Sequence, residues 1–143
     1  MTINQLSIFV ENKAGTVAEI TKSIADAGVS IRALSVADTQ EFGILRLIVN
    51  DVEKAKEALN ENECVVTVTK VIGVEIPDVA GGLSEVLQLM SNNNINVEYL
   101  YAFITISGKH AYVVLRVENN EKAAEILTKN GVKLVTQGDI DSL

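Results

Sequence analysis

The octapeptide Val10-Glu11-Asn12-Lys13-Ala14-Gly15-Thr16-Val17 returns, altered, as Ile76-Pro77-Asp78-Val79-Ala80-Gly81-Gly82-Leu83, an offset of 66 residues in a chain of 143. Each copy joins a strand-like segment to a helix-like one through a short polar loop that ends in glycine. A chain that repeats itself at this spacing is one small module written twice. A module of about 70 residues buries a marginal core on its own, so the halves are expected to pack together or to associate further.

The pattern around each loop is the same. In the first copy residues 6–10 read as a half-buried strand. Val17, Ile20, Ile24 and Ala27 then recur at helical spacing until Gly28 stops the helix. Residues 29–37 form the next expected strand, with Glu41-Phe42-Gly43 as a tight turn into a strand over 44–49. Asp51 is a good N-cap for a second helix carrying Ala55, Ala58 and Leu59, and residues 64–68 close the copy as a strand.

The second copy repeats this order: a strand over 71–76, a helix over 83–90 and a strand over 95–106. A turn at Ser107-Gly108-Lys109 leads to a strand over 111–117, then a helix capped by Asn119 or Asn120, and a closing strand over 132–135. Val49 matches Val117 at an offset of 68, which puts about two extra residues near Gly108. The tail from Thr136 onward has no strong periodicity. The order βαββαβ, written twice, is the split-βαβ arrangement of ferredoxin-like folds: an α+β fold in which each antiparallel sheet carries two helices on one face. The expected modules are residues 1–69 and 70–143. Residues 67–72 run between them without a Pro/Gly/Ser linker, which favours a tightly packed pair.

Composition narrows the function. The 48% hydrophobic and 22% charged residues are ordinary for a globular protein, and with 3 Phe, 3 Tyr and no Trp the core is expected to be aliphatic. A formal charge of −7, with no Lys/Arg run, argues against nucleic acid. No apolar run approaches the ~20 residues of a membrane span, and the start Met1-Thr2-Ile3-Asn4-Gln5 does not read as a signal peptide. The single cysteine, Cys64, cannot form an internal disulfide, so a cytoplasmic setting is expected.

Catalysis has few candidate groups. His110 is the only histidine and reads as a rim residue beside the Gly108 turn, while Cys64 reads as a small buried hydrophobe in a strand. There is no Cys-x-x-Cys or His-Cys cluster for a metal and no Lys-Ser/Thr phosphate loop. The expectation is a non-enzyme without cofactor or metal. The repeated loops offer more. A helix N-terminus exposes unpaired N–H groups and can hold a carboxylate. Gly15 and Gly81 would let a ligand approach that backbone, or would simply permit the turn. Asn12 carries an amide that both donates and accepts.

Taken together, these segments resemble the ACT domain, a small-molecule regulatory module of amino-acid metabolism. The resemblance is carried by Glu11-Asn12-Lys13-Ala14-Gly15, Ala27-Gly28-Val29-Ser30-Ile31 and Gly43-Ile44-Leu45-Arg46. In the second copy it rests on Pro77-Asp78-Val79-Ala80-Gly81-Gly82 and Asn94-Ile95-Asn96-Val97. The likeness spans nearly the whole chain. One departure is that the family often has proline before the loop glycine, where this chain has Ala14 and Ala80; the loops are less rigid for it.

The resemblance implies a stand-alone regulatory pair that binds an amino acid where the loop of one module meets the second strand of the other. The site residues it implies are Asn12, Lys13, Ala14, Gly15 and Thr16 with Asn96, Val97 and Tyr99, and in the reciprocal site Asp78 and Gly81 with Ser30 and Ile31. Asn12 with Asn96 suits both ends of a zwitterion. Asp78 would repel a nearby ligand carboxylate while accepting an ammonium, so the Asn12/Asn96 site is expected to be the occupied one. Tyr99 and Tyr101 share a strand face, either walling in a ligand side chain or packing against a second chain. Arg32 and Glu98, at equivalent places, are a candidate pair across the interface. The implied partners are a regulated enzyme or transporter and a second copy of the chain in a homodimer. The alternative from a different class is a pure assembly module whose loops bind nothing.

Overall fold

The computed structural model describes residues 1–38, 41–104 and 109–143. In chain order the elements are β1 Ile3–Glu11, α1 Thr16–Asp26, β2 Ile31–Asp38, β3 Phe42–Val49, α2 Val52–Glu61 and β4 Val66–Pro77, followed by α3 Gly82–Asn92, β5 Val97–Ala102, β6 His110–Val117, α4 Asn120–Lys129, β7 Lys133–Val135 and α5 Gln137–Asp141. The chain is α+β, with two ferredoxin-like βαββαβ modules. It divides into two compact units: Asn4–Thr69 with Ile140–Leu143, and Lys70–Asp139 with Met1–Ile3.

In the first unit the strand order is β2-β3-β1-β4, and in the second it is β5-β6-β4-β7. Both are antiparallel, with matching registers. Leu34 faces Leu47 in the first and Leu100 faces Leu115 in the second, and each outer strand carries an irregularity at Ile31/Ala33 or Val97/Tyr99. One face of each sheet takes the helices. Leu6, Ile8 and Val10 cluster with Ile20, Ile24, Ala55 and Leu59. Ile72, Val74 and Ile76 cluster with Val86, Met90, Ala123 and Leu127. The alternation along β1 and β4 sends these residues to the helices and their neighbours to the opposite face.

Local chemistry sets the helix ends. Asp51 caps α2 by accepting the Lys54 N–H at 3.1 Å, and Asn119, rather than Asn120, caps α4 by accepting the Lys122 N–H at 3.0 Å. Gly28 follows α1 with φ 75°.

Several expected boundaries move. Phe42 and Gly43 lie inside β3, paired with Glu11 and Val10, and not in a turn. The strand expected over 95–106 begins only at Val97, because Ile95 closes the end of α3 with its N–H on the Met90 carbonyl at 2.9 Å. Of the Ser107-Gly108-Lys109 turn, the first two residues lie outside the described residues. The strands expected over 64–68 and 71–76 are one continuous strand, β4, which starts at Val66. Cys64 therefore lies before the strand. Half-buried at the edge of the first core, it has a thiol pKa pushed up by burial. The tail forms α5, with Thr136 and Asp139 capping each other at 2.9 and 3.0 Å. The Asp139 carboxyl is held below its usual range by hydrogen bonding from the Thr136 N–H first and the Thr136 side chain second.

Candidate functional site

The two repeated loops have the same construction. After β1, the Asn12 N–H donates to the Glu41 carbonyl at 2.9 Å; after β4, the Asp78 N–H donates to the Lys109 carbonyl at 3.1 Å. Each loop is thus fixed to the residue just before the neighbouring strand. Gly15 and Gly81 are the N-caps of α1 and α3, both left-handed, with φ 91° and 87°. That conformation suits glycine and strains other residues. Neither helix has a side-chain cap, whereas α2 and α4 do. The chain therefore caps α2, α4 and α5 with side chains, whereas at α1 and α3 the first N–H groups, of Thr16 and Gly82, turn back to the Lys13 and Val79 carbonyls at 3.5 and 3.1 Å.

Residues 12–15 and 78–81 are exposed. Lys13 pairs with Glu11 at 3.1 Å, leaving that rim locally neutral. Thr16 opens α1, and its Oγ1 is buried without a hydrogen-bond partner among the described residues. A cleft of about 330 Å³ runs past it, bordered by Phe9, Lys13, Ile20, Cys64 and Val65. The second module has a cleft of about 340 Å³ at the corresponding place, bordered by Pro77, Gly82, Val86, Leu89 and Asn130. At Gly82, which corresponds to Thr16, a Cβ would run into the Pro77 carbonyl oxygen, so the second loop is drawn tighter over its helix.

The strand-start residues are not near the loop of their own module. Glu11 pairs with Phe42 at one end of β3, and Ile31 pairs with Val49 at the other. At a rise of ~3.3 Å per residue those points are roughly 23 Å apart. The second module repeats this, with Pro77 on His110 and Val97 on Val117. Within one module, then, Asn12 is not brought together with Ser30 or Ile31, nor Asp78 with Asn96 or Val97.

Ser30 is tied down locally. Its N–H donates to Asn50 Oδ1 at 2.9 Å, and its carbonyl accepts from the Asn50 N–H at 3.2 Å. Asn96 is exposed just before β5 and borders a cleft of about 600 Å³ with Asn94, Glu98, Asn119, Asn120 and Lys122. The α4 N-terminal residues of that cleft were missed from sequence, because nothing local links positions 96 and 120. Tyr99 and Tyr101 stack with centroids 6.4 Å apart on the sheet face opposite the helices. Glu98 pairs with Arg116 at 3.4 Å within its own module, and Arg32 Nε is buried without a hydrogen-bond partner among the described residues. His110 Nδ1 lies 3.3 Å from Glu75 Oε1. Among the described residues, no group of three or more His, Cys, Asp or Glu is arranged to hold a metal, and no helix is long and apolar enough to cross a membrane.

Two left-handed glycine loops, each opening a helix without a side-chain cap, recur in the two βαββαβ modules. The model of the ACT domain pair matches residues 1–143. The chain belongs to the ACT domain pair family. A Bacteroides thetaiotaomicron protein of solved structure is 38% identical, with TM-score 0.92, 100% of this chain covered and 98% of that one. The regulatory subunit of aspartate kinase from Thermus thermophilus, in its ligand-free form, is 15% identical with TM-score 0.63, covering 88% of this ACT pair and 90% of that chain. The corresponding subunit from Thermus flavus is 15% identical with TM-score 0.60 and the same coverage, 88% and 90%. At that identity the two Thermus subunits share the fold alone. No curated protein matches the chain.

Proposed function

We propose that this ACT pair is a non-catalytic, cytoplasmic sensor that binds a free amino acid and passes its binding energy to an enzyme or transporter partner. The observation that carries this is the unequal capping of its helices. Asp51 and Asn119 close α2 and α4, while α1 and α3 begin at left-handed Gly15 and Gly81 with no side-chain cap. Open N–H groups at a helix start match a ligand carboxylate. The separation of loop and strand start within each module means that a site using both draws them from two different modules.

Within this proposal the two sites are unequal. Asn12, Lys13, Ala14, Gly15 and Thr16 with Asn96, Val97 and Tyr99 form the occupied one. The Ser30 backbone is already bonded to Asn50, and Asp78 disfavours a carboxylate. The reciprocal set of Asp78, Gly81, Ser30 and Ile31 is the weaker one. Binding regulates only if the ligand distinguishes two states of the pair.

Thermal-shift measurement against the proteinogenic amino acids at millimolar concentration tests this. One of them should raise the melting temperature, and Asn12→Ala with Asn96→Ala should abolish that rise while leaving the unliganded melt nearly unchanged. No shift with any amino acid would favour an assembly module with empty loops.

A further inference from the structure

Duplication supplies an internal comparison at the residues just before β2 and β5. Ile31 pairs with Val49, and Val97 with Val117. Just past those last pairs, Ser30 therefore lies beside Asn50 in one module and Asn96 beside Glu118 in the other. The first of these ends is closed. The Ser30 N–H donates to Asn50 Oδ1 at 2.9 Å, and the Ser30 carbonyl accepts the Asn50 N–H at 3.2 Å. Asn50 thus engages both backbone groups of the strand start.

The second end is open. Among the described residues, neither bond has a counterpart between Asn96 and Glu118. Both are exposed, and they border the cleft of about 600 Å³. Of the carboxylates on that cleft, Glu98 is paired with Arg116 at 3.4 Å. Lys122 also borders it, yet among the described residues no ion pair joins Lys122 to Glu118 or Glu121. An unbonded backbone carbonyl beside an unpaired carboxylate is an acceptor pair. An ammonium group, with three donors and a positive charge, satisfies it, whereas a ligand carboxylate is repelled.

We propose that Asn50 and Glu118 decide which strand start takes a ligand, and that the open one takes an ammonium group. The ammonium donates to the Asn96 carbonyl and to the Glu118 carboxylate. This rests on the reading of Asn96 as a binding residue and adds a polarity to it. The strand-start half of the site recognises the cationic end of the ligand and leaves the carboxylate to the loop. Compounds without a cationic nitrogen, such as 2-oxo acids, are rejected by the same charge.

Heteronuclear NMR on the full chain tests this, with putrescine as the probe and sodium chloride at equal ionic strength as the control. Putrescine carries ammonium groups and no carboxylate, so it reports on the Asn96 and Glu118 half alone. It should shift the Asn96 and Glu118 signals saturably and leave Ser30 unmoved. Glu118→Gln should weaken that response about tenfold, the loss of one charge-assisted hydrogen bond. Glu118→Asn, which installs the first module's closure, should abolish the response and slow hydrogen exchange at the Asn96 N–H. Asn50→Glu should speed exchange at the Ser30 N–H and give Ser30 the response that Asn96 has. The amino acids are titrated separately. A putrescine response at Asn96 with none to any amino acid sinks the sensor reading and leaves the ammonium site standing. No shift at Asn96, or a shift undiminished in Glu118→Gln, overturns the proposal even if an amino acid binds.

Discussion

Lys133 Nζ and the Glu75 carboxylate meet at 2.9 Å between paired residues of β7 and β4. The hydrogen bond and charge of Glu75 raise the Lys133 pKa above its ordinary value of 10.5. A raised folded-state pKa stabilises the fold fully below the unfolded value, and that contribution is lost as pH rises through the folded value. The window therefore lies on the alkaline side of 10.5. Lys133 is exposed, so the effect on stability is small. Glu75→Gln should lower the Lys133 pKa in a side-chain NMR titration and flatten the alkaline fall in melting temperature. An unchanged titration would mean the pair does not form in solution.

Gly73 lies beneath Ile3. A Cβ there would come within 3.1 Å of Ile3 Cδ1 and 3.0 Å of Val135 Cβ. Gly73→Ala should cost about 1–3 kcal/mol by overpacking. Combining it with Ile3→Val should recover part of that loss, because the two sites share one contact. Urea denaturation of the two single variants and the double variant measures the coupling; strict additivity would contradict the contact.

Thr16 and Gly82 open equivalent helices with opposite packing problems. Thr16 Oγ1 is buried without a partner among the described residues, so Thr16→Val should stabilise the protein by roughly 1 kcal/mol. At Gly82 the Pro77 carbonyl oxygen occupies the space of a Cβ, so Gly82→Ala should destabilise and displace the loop. Calorimetry should show melting temperatures moving in opposite directions. A fall with Thr16→Val would mean that the hydroxyl is satisfied in solution.

The caps on α2 and α4 should be worth similar amounts. Asp51→Ala and Asn119→Ala should each cost about 1 kcal/mol, since each removes a side-chain acceptor from an N-terminal N–H. The two losses should add, as the caps lie in separate modules. Denaturant titration checks this, and a negligible loss for either would place that cap in water.

Much of the fold was legible in the sequence because its signals are local. The octapeptide repeat, the 3.6-residue spacing of Val17, Ile20 and Ile24, and the Asp51 cap report the chain's own backbone preferences within a few residues. They were enough for the βαββαβ order, and the family followed from the resemblance of the loop and strand motifs. Boundaries failed where a tertiary contact overrode local pattern. Ile95 reads as strand, but it closes α3 through Met90, and Phe42 reads as turn but pairs with Glu11.

The repeated loops were legible as motifs, whereas their surroundings were not. Asn12, Gly15, Asp78 and Gly81 could be singled out from their repetition alone. The cleft that joins Asn96 to Asn119 and Asn120 depends on two segments more than twenty residues apart. The pairing of Glu98 with Arg116 depends on the register of β5 and β6.

By itself the sequence determined the duplication and the module order, because these follow from residue type and spacing. Only the tertiary structure decided that loop and strand start lie at opposite ends of each sheet. It also revealed that Asn50 closes the strand start at Ser30, whereas Asn96 and Glu118 stand exposed on a cleft. Strand register and solvent exposure arise from contacts between distant segments, which no local pattern encodes.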